Sequence, residues 1–263
     1  MGWTERQAAM LKEMGLRVEV DAMAASPPAA AAVEPVAPPA LAQRPAPTRP
    51  AVPMPSTPPT AVDHAIARMD WTELRSSVAA CSACKLCQGR TQTVFGVGSV
   101  QADWLVVGEA PGEQEDAQGE PFVGKSGQLL DNMLRAIGVS RDASGTDPTR
   151  QAYIANSVKC RPPGNRNPAP DELAQCEPFL MRQIALLRPK IILAMGRFAV
   201  QSLLRSSEPI GRLRGRVHHY QGVPLIVTYH PAYLLRNLDE KVRAWDDLCL
   251  AAETAHASRT DAG

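Results

Sequence analysis

The sequence of 263 residues has no apolar run long enough to span a membrane, because a transmembrane helix needs about 20 successive apolar residues. Residues 1–20 also lack the apolar centre of a secretory signal peptide. The formal net charge is only +1, so charge neither demands nor excludes a nucleic-acid partner. These absences predict a soluble, cytoplasmic protein without a membrane partner.

Residues 21–61 are rich in alanine and proline and contain no aromatic residue. Such a segment buries too little surface to fold, so it predicts a disordered, extended linker. Before it, residues 1–20 place Met10, Leu11 and Met14 on one face of a short amphipathic helix. That helix either packs on its own domain or docks as a tethered peptide on a partner protein, and disorder is the third reading.

The folded domain is predicted at residues 62–256, with a disordered tail at 257–263. Apolar runs predict four strands, and amphipathic patterns predict helices between and after them, the second capped by Asp171. The strands are at 104–107, 153–158, 191–195 and 225–228, and the helices are at 126–137, 171–187, 197–204 and 239–256. This alternation predicts a parallel sheet covered by helices on both faces.

An acidic, glycine-rich loop at residues 108–116 follows the first predicted strand. Open α/β sheets bind ligands where strands end in such loops. The crowded carboxylates disfavour a phosphate ligand, since they would repel it from the backbone amides. The loop therefore favours a neutral ligand that needs an ordered water.

Cysteines are clustered rather than scattered. Cys81, Cys84 and Cys87 lie within seven residues, Cys160 ends a strand, and Cys176 lies on the next helix. Two ligands from a C-x-x-C turn and two from distant elements form one tetrathiolate site. Spacing alone leaves zinc and an iron–sulfur cluster open, and Cys87 is either a bystander or a replacement for Cys84.

Taken together, these motifs resemble the family 4 uracil-DNA glycosylases, the iron–sulfur branch of that superfamily. The resemblance covers roughly residues 62–252 and rests on segments in the same order as in the family. These are Cys81-x-x-Cys84, residues 90–96, the loop at 108–124, residues 153–163 and residues 230–236.

The resemblance implies a three-layer α/β/α sandwich around a four-stranded parallel sheet. It also implies a [4Fe-4S] cluster held by Cys81, Cys84, Cys160 and Cys176. The implied activity is to flip uracil out of DNA and hydrolyse its N-glycosidic bond, leaving an abasic site in base excision repair. We expect a monomer acting on uracil-containing DNA.

Three residues correspond to the family's uracil pocket. Phe122 resembles the platform on which the flipped base stacks. Asn156 is expected to accept from uracil N3–H and donate to O4, a pattern that cytosine mismatches. His230 is expected to donate to uracil O2 and stabilise the developing anion.

The acidic loop has several candidate roles. Glu109 is expected to orient water or stabilise the cationic sugar, while the backbone at Ala110, Pro111 and Gly112 holds uracil O2. Ala110 excludes the Asp that other branches place there. Glu115 is a candidate for rejecting the C5 methyl of thymine, with Asp116 supporting the loop.

DNA contacts are expected from an apolar tip and nearby cations. Leu235, next to Leu234, is predicted to wedge into the space left by the flipped base. Arg236 and Arg161 are predicted to contact phosphates.

A competing hypothesis is a non-catalytic iron–sulfur DNA-binding module of a replication or repair complex. The complete set of Glu109, Phe122, Asn156 and His230 argues against it, because binding alone needs no such pocket. A nucleotide-binding or redox α/β enzyme is the third alternative, and the missing G-x-G-x-x-G fingerprint disfavours it.

Overall fold

The computed structural model describes residues 61–142 and 147–260. The expectations for the N-terminal helix at 1–20, for the linker up to residue 60 and for the last three residues of the tail lie outside these ranges.

Within the described ranges the strands form one mixed sheet with the order β1-β3-β2-β4-β6-β5. Its four inner strands are parallel: β2 (Trp104–Gly108), β3 (Ala152–Asn156), β4 (Ile191–Met195) and β6 (Val223–Thr228). Two short antiparallel strands, β1 (Val97–Gly98) and β5 (Val217–Tyr220), pair with β3 and β6 at the two edges. The parallel core is confirmed, and the sheet has six strands rather than four.

Helices cover both faces of this sheet, which confirms the α/β/α class. They are α1 (Ala61–Ile66), α2 (Trp71–Ala79), α3 (Glu113–Gln118), α4 (Lys125–Ala136), α5 (Pro170–Leu187), α6 (Arg197–Leu204), α7 (Ile210–Leu213), α8 (Pro231–Leu234) and α9 (Glu240–Thr260). Short 3₁₀ turns occur at Lys85–Gln88, Pro148–Arg150 and Pro163–Asn165. No helix in the described part of the chain has the length and apolar character needed to cross a membrane.

The core follows from the strand period of two. Leu105 and Val107 of β2 and their neighbours on β4 and β6 are fully buried and pack with apolar residues of α5 and α6. On the opposite face, α9 packs against β4 and β6. Since both faces are covered, the inner strands are apolar along their whole length.

Several element boundaries differ from the sequence prediction, most of them by one or two residues. Helix α5 begins at Pro170 with Ala169 as its N-cap, not with Asp171, because proline is well suited to the first helical position. The Glu172 carboxylate accepts a 2.7 Å hydrogen bond from the Ala169 N–H and completes this start. Helix α9 continues to Thr260, beyond the predicted domain end at 256.

The acidic loop is also shorter than predicted. Residues 109–112 connect β2 to α3, and Glu113, Glu115 and Asp116 lie in the first turn of α3. Carboxylates are stabilised there by the partial positive charge of a helix N-terminus. The acidic residues that the sequence analysis assigned to a loop therefore lie at the start of a helix.

Candidate active site and cysteine site

A cavity of about 780 Å³ opens at the carboxyl ends of the parallel strands. Gly108 of β2 pairs in register with Asn156 of β3, so both strands end at the same level. Gly196 after β4 and His230 after β6 complete this edge. The cavity thus lies where open α/β sheets place their ligands.

The structure brings most of the predicted site residues to this cavity. All eight predicted catalytic and uracil-binding residues line it: Glu109, Ala110, Pro111, Gly112, Glu115, Phe122, Asn156 and His230. The predicted phosphate contact Arg236 also lines it. The other predicted DNA contacts, Arg161 and Leu235, are not among the lining residues.

Asn156 has a buried side chain, only 2% exposed. Its Oδ1 has no hydrogen-bond partner among the described residues. An unpaired buried polar atom costs about 1–3 kcal/mol, so this acceptor marks a place for a donor from a ligand. The backbone carbonyl of Asn156, in contrast, accepts a 2.8 Å hydrogen bond from the buried Lys159 ammonium.

His230 is the N-cap of α8, and its Nδ1 accepts a 3.1 Å hydrogen bond from the Ala232 N–H. A ring whose Nδ1 accepts carries its proton on Nε2 in the neutral form. Burial, aided by the nearby Arg236 guanidinium, lowers the pKa of His230 to about 4. The ring is therefore neutral at physiological pH, with Nε2–H as its remaining donor.

Phe122 stacks on His230, with ring centroids 5.3 Å apart and planes inclined by 26°. Gly108 lies against both Phe122 and Asn156. A Cβ at Gly108 would come within 2.4 Å of the Asn156 Oδ1 and 2.7 Å of the Phe122 ring. The absent side chain therefore lets the amide and the aromatic ring approach each other.

Glu109 is held at the N-terminus of α6, where its Oε1 accepts a 3.2 Å hydrogen bond from the Phe198 N–H. Burial raises the pKa of the Glu109 carboxyl, and the backbone N–H groups of Phe198 and Arg197 oppose that rise. Gly196 leaves room for the carboxylate, since a Cβ there would lie 2.5 Å from Oε1. Glu109 is thus a fixed, partly desolvated carboxyl at the cavity wall.

Two other acidic residues near the cavity, Glu115 and Asp116, accept hydrogen bonds from backbone N–H groups. Glu115 accepts hydrogen bonds from the N–H groups of Gly112, Val123 and Gly124 at 3.1, 3.1 and 3.3 Å. Both oxygens of Asp116 accept from the Thr91 N–H. These contacts favour a loop-supporting role for Asp116, as expected, and give Glu115 the same kind of role.

Residues 119–126 happen to fit the phosphate-loop pattern G-x-x-x-x-G-K-S. A phosphate loop follows a strand and offers free backbone amides. Here the segment follows α3, and the Val123 and Gly124 amides already donate to Glu115. The pattern therefore makes no phosphate site.

The predicted DNA contacts differ in their surroundings. Leu235 is 40% exposed whereas Leu234 is buried, so only one leucine of the predicted tip is available. The Arg161 Nε donates to Asn165 Oδ1 at 2.8 Å, and its guanidinium lies 3.8 Å from Glu113.

Sequence patterns had not indicated several further residues that line the cavity. Tyr229 and Tyr233 stack on each other at 5.1 Å, and Arg197 lies at the start of α6. The sequence feature that could have indicated both tyrosines is their closeness to the pair His230-Pro231.

A second, small cavity lies between α2 and α5. Five cysteines line it: Cys81, Cys84, Cys87, Cys160 and Cys176. The Cys160 Sγ accepts from the Arg90 guanidinium at 3.1 Å, and the Cys176 Sγ accepts from the Lys159 N–H at 3.2 Å. Within the described ranges, no three metal-ligating side chains converge closely enough for a single ion.

The thiols nevertheless suit a sulfur-ligated group. Burial raises the pKa of Cys84, Cys160 and Cys176, which leaves them as neutral thiols unless a cation offsets their charge. Iron–sulfur clusters are held by four cysteine thiolates and tuned by hydrogen bonds to sulfur. The donor set and the two N–H···S contacts fit such a group.

Comparison with known proteins decides the family. The model of the uracil DNA glycosylase superfamily matches residues 95–249. A type-4 uracil-DNA glycosylase of Archaeoglobus fulgidus is 40% identical over 60% of this chain and 79% of its own length. The type-4 proteins of Thermotoga maritima and Sulfurisphaera tokodaii are 41% and 43% identical, over 62% and 64% of this chain and 82% and 78% of theirs. The chain belongs to the type-4 uracil-DNA glycosylase family.

This membership confirms the resemblance seen in the motifs. Type-5 uracil-DNA glycosylases are more distant, for example 32% identical over 52% of this chain in Pyrobaculum aerophilum. The superfamily match at 95–249 contains every predicted pocket residue but starts after Cys81 and Cys84. The cysteine turn is thus a feature outside the matched superfamily region.

Proposed function

We propose that this chain is a uracil-DNA glycosylase of base excision repair. It flips uracil, formed by cytosine deamination or misincorporated as dUMP, into the cavity and hydrolyses the N-glycosidic bond. The observation that carries this proposal is the unpaired Oδ1 of Asn156 in a cavity that the neutral ring of His230 also lines.

Asn156 reads the base. Its Oδ1 accepts from uracil N3–H, and its amide group donates to O4. Cytosine reverses both groups, because it offers an acceptor at N3 and a donor at N4. Each mismatched buried group costs about 1–3 kcal/mol, so cytosine is rejected even when it reaches the cavity.

His230 stabilises the leaving group. As the C1′–N1 bond breaks, its electron pair leaves with the base and spreads onto the uracil oxygens. The Nε2–H of the neutral ring donates to O2, where negative charge develops. Since burial lowers the pKa of His230 to about 4, the ring acts as a hydrogen-bond donor and does not transfer a proton as an imidazolium.

Phe122 holds the ring of the flipped base by stacking, and Gly108 keeps the space beside it open. Flipping costs a few kcal/mol of lost stacking in DNA, which contacts with an aromatic face help to offset. The backbone at Ala110, Pro111 and Gly112 borders the O2 side of the base.

Glu109 positions the water. The water oxygen bonds to C1′ as the base departs, and the proton that it loses balances the one taken up by the uracil anion. In its ionised form, the fixed carboxylate of Glu109 accepts a hydrogen bond from this water and offsets the positive charge of the sugar. Ala110 has no group for that task.

Arg236, at the cavity rim, contacts a phosphate beside the flipped nucleotide. The exposed Leu235 occupies the space that the base leaves. Arg161, which does not line the cavity, contacts the flanking DNA backbone.

A [4Fe-4S] cluster held by Cys81, Cys84, Cys160 and Cys176 is the proposed cofactor. If bound there, the cluster would link the turn that follows α2 to the segment after β3 and to α5 through these four thiolates, and its role would be structural. Cys87 borders the same cavity without being a ligand in this assignment.

The chain is proposed to act as a monomer, with residues 1–20 binding a partner protein. Removal of residues 1–60 is then expected to leave excision on naked oligonucleotides unchanged. A large loss of specific activity in the truncated protein would contradict this assignment.

The proposed function is tested on oligonucleotides that carry uracil, thymine or cytosine at one position. Alkaline cleavage reports abasic sites, and we expect them only with uracil. The Asn156→Ala and His230→Gln variants test the two pocket residues, and each is expected to slow release by about 10²–10³-fold. Cluster-replete protein that binds this DNA without releasing uracil would instead favour a non-catalytic module.

A further inference from the structure

Phe122 has a backbone conformation that a bulky residue rarely adopts. Its φ angle is 56°, in the left-handed region that costs a non-glycine residue about 1–2 kcal/mol. Such strain persists only where the surroundings over-determine it, and it is common at ligand sites. Something must therefore hold this residue of the uracil pocket in place.

Arg141 provides the strongest of these contacts. Its side chain is only 4% exposed. Nη1 donates to the Pro121 carbonyl at 2.7 Å, and Nη2 donates to the Phe122 carbonyl at 2.9 Å. Nε donates at 2.7 Å to Asp131 of α4, which fixes the plane of the guanidinium.

Glu115 and Gly127 make the remaining contacts with the same turn. Glu115 accepts from the N–H groups of Val123 and Gly124. Gly127 of α4 lies directly beneath, since a Cβ there would come within 1.7 Å of the Phe122 carbonyl oxygen. Arg141 thus binds the backbone carbonyls of this turn, and Glu115 binds its backbone N–H groups.

We propose that Arg141 is a positioning residue that fixes the Phe122 ring against His230 for stacking on the flipped uracil. This role rests on the proposed function. The planar fork matches two successive carbonyls and one carboxylate together, a geometry that a lysine ammonium does not reproduce. Arg141 is not among the residues that line the cavity, so it acts through Phe122.

The test uses Arg141→Lys, which keeps the positive charge beside Asp131. In single-turnover assays, we expect the rate of uracil release to fall about ten- to a hundredfold, because small displacements in a site cost this much. Affinity for DNA that already contains an abasic site should stay within about twofold, since that ligand has no base to stack. Unchanged affinity also shows that the variant is folded.

A double-mutant cycle with Phe122→Ala separates positioning from general stability. If Arg141 acts through Phe122, Arg141→Lys should slow the Phe122→Ala protein by less than about twofold. A loss of folded protein would instead lower the rate by the same factor in both backgrounds. Equal factors, or a wild-type rate in Arg141→Lys, would overturn the proposal.

Hydrogen exchange of the Val123 and Gly124 amides keeps the two proposals distinguishable. We expect faster exchange in Arg141→Lys than in the wild-type protein, because the turn loses its carbonyl contacts. If the wild-type protein released no uracil, the proposed function would fail on its own. Unchanged exchange would overturn the role of Arg141 whether or not uracil is released.

Discussion

Acidification is expected to destabilise this protein through one histidine. Burial lowers the pKa of His230 from its ordinary value of 6.5 to about 4. The unfolded chain therefore binds a proton between these values while the folded chain does not. The neutral ring contributes stability that is fully present above pH 6.5 and is lost as pH falls toward 4.

The size of the effect follows from the two pKa values. Between pH 7.5 and pH 5, linkage gives a loss of about 2 kcal/mol in the free energy of unfolding from His230 alone. His230→Gln removes this titration, so its urea midpoint should depend less on pH by that amount. The exposed His219 on β5 is the matched control, and His219→Gln should follow the wild-type protein.

Direct titration gives an independent measurement. NMR spectra of the protein with ¹³C-labelled histidine should show the His230 ring remaining neutral at pH 5, and its signal is identified by its absence in His230→Gln. The rate of uracil release should likewise show no step near pH 6.5 that depends on His230. A normal titration of this ring, or an equal pH dependence of the urea midpoint in the wild-type and His230→Gln proteins, would refute the reasoning.

Two further predictions concern the pocket and the cysteine site. Gly108→Ala places a Cβ 2.4 Å from the Asn156 side-chain oxygen, so the rate of uracil release should fall about a hundredfold. The circular dichroism spectrum should stay unchanged. Gly89→Ala, whose Cβ meets no atom within 4 Å, is the control variant. Cys176→Ser should lower the iron and acid-labile sulfide content of anaerobically purified protein, whereas Cys87→Ser should keep both, and equal losses would contradict the ligand assignment.

Sequence patterns predicted the inner sheet because its strands are buried on both faces and therefore read as continuous apolar runs. The edge strands were missed, since Val97–Gly98 has two residues and Val217–Tyr220 is half exposed. Helix α3 was missed for a related reason. Five polar residues and one alanine between glycines carry no apolar period, and the helix is stabilised by its N-terminal carboxylates.

The sequence predicted those site residues whose polar or aromatic side chains stand out near the end of an apolar strand or within a glycine-rich loop. Asn156 is a polar residue within a mostly apolar run, His230 follows another such run by a few residues, and Phe122 is a rare aromatic between glycines. Arg141 was not predictable, because it binds backbone carbonyls and no side-chain pattern accompanies such contacts. Glu115 was assigned to the substrate for the same reason, since its backbone N–H partners exist only in the folded chain.

The segment between Asn156 and Cys160 has a fixed length, because it connects two sites. One residue faces the cavity at the end of β3 and the other faces the cysteine site, while Lys159 between them contacts Asn156 and Cys176. Inserting a single residue would displace one of the two by about 3.3 Å. Insertions and deletions here should therefore be as damaging as replacing either residue, even though the segment reads as an ordinary strand-to-loop connection.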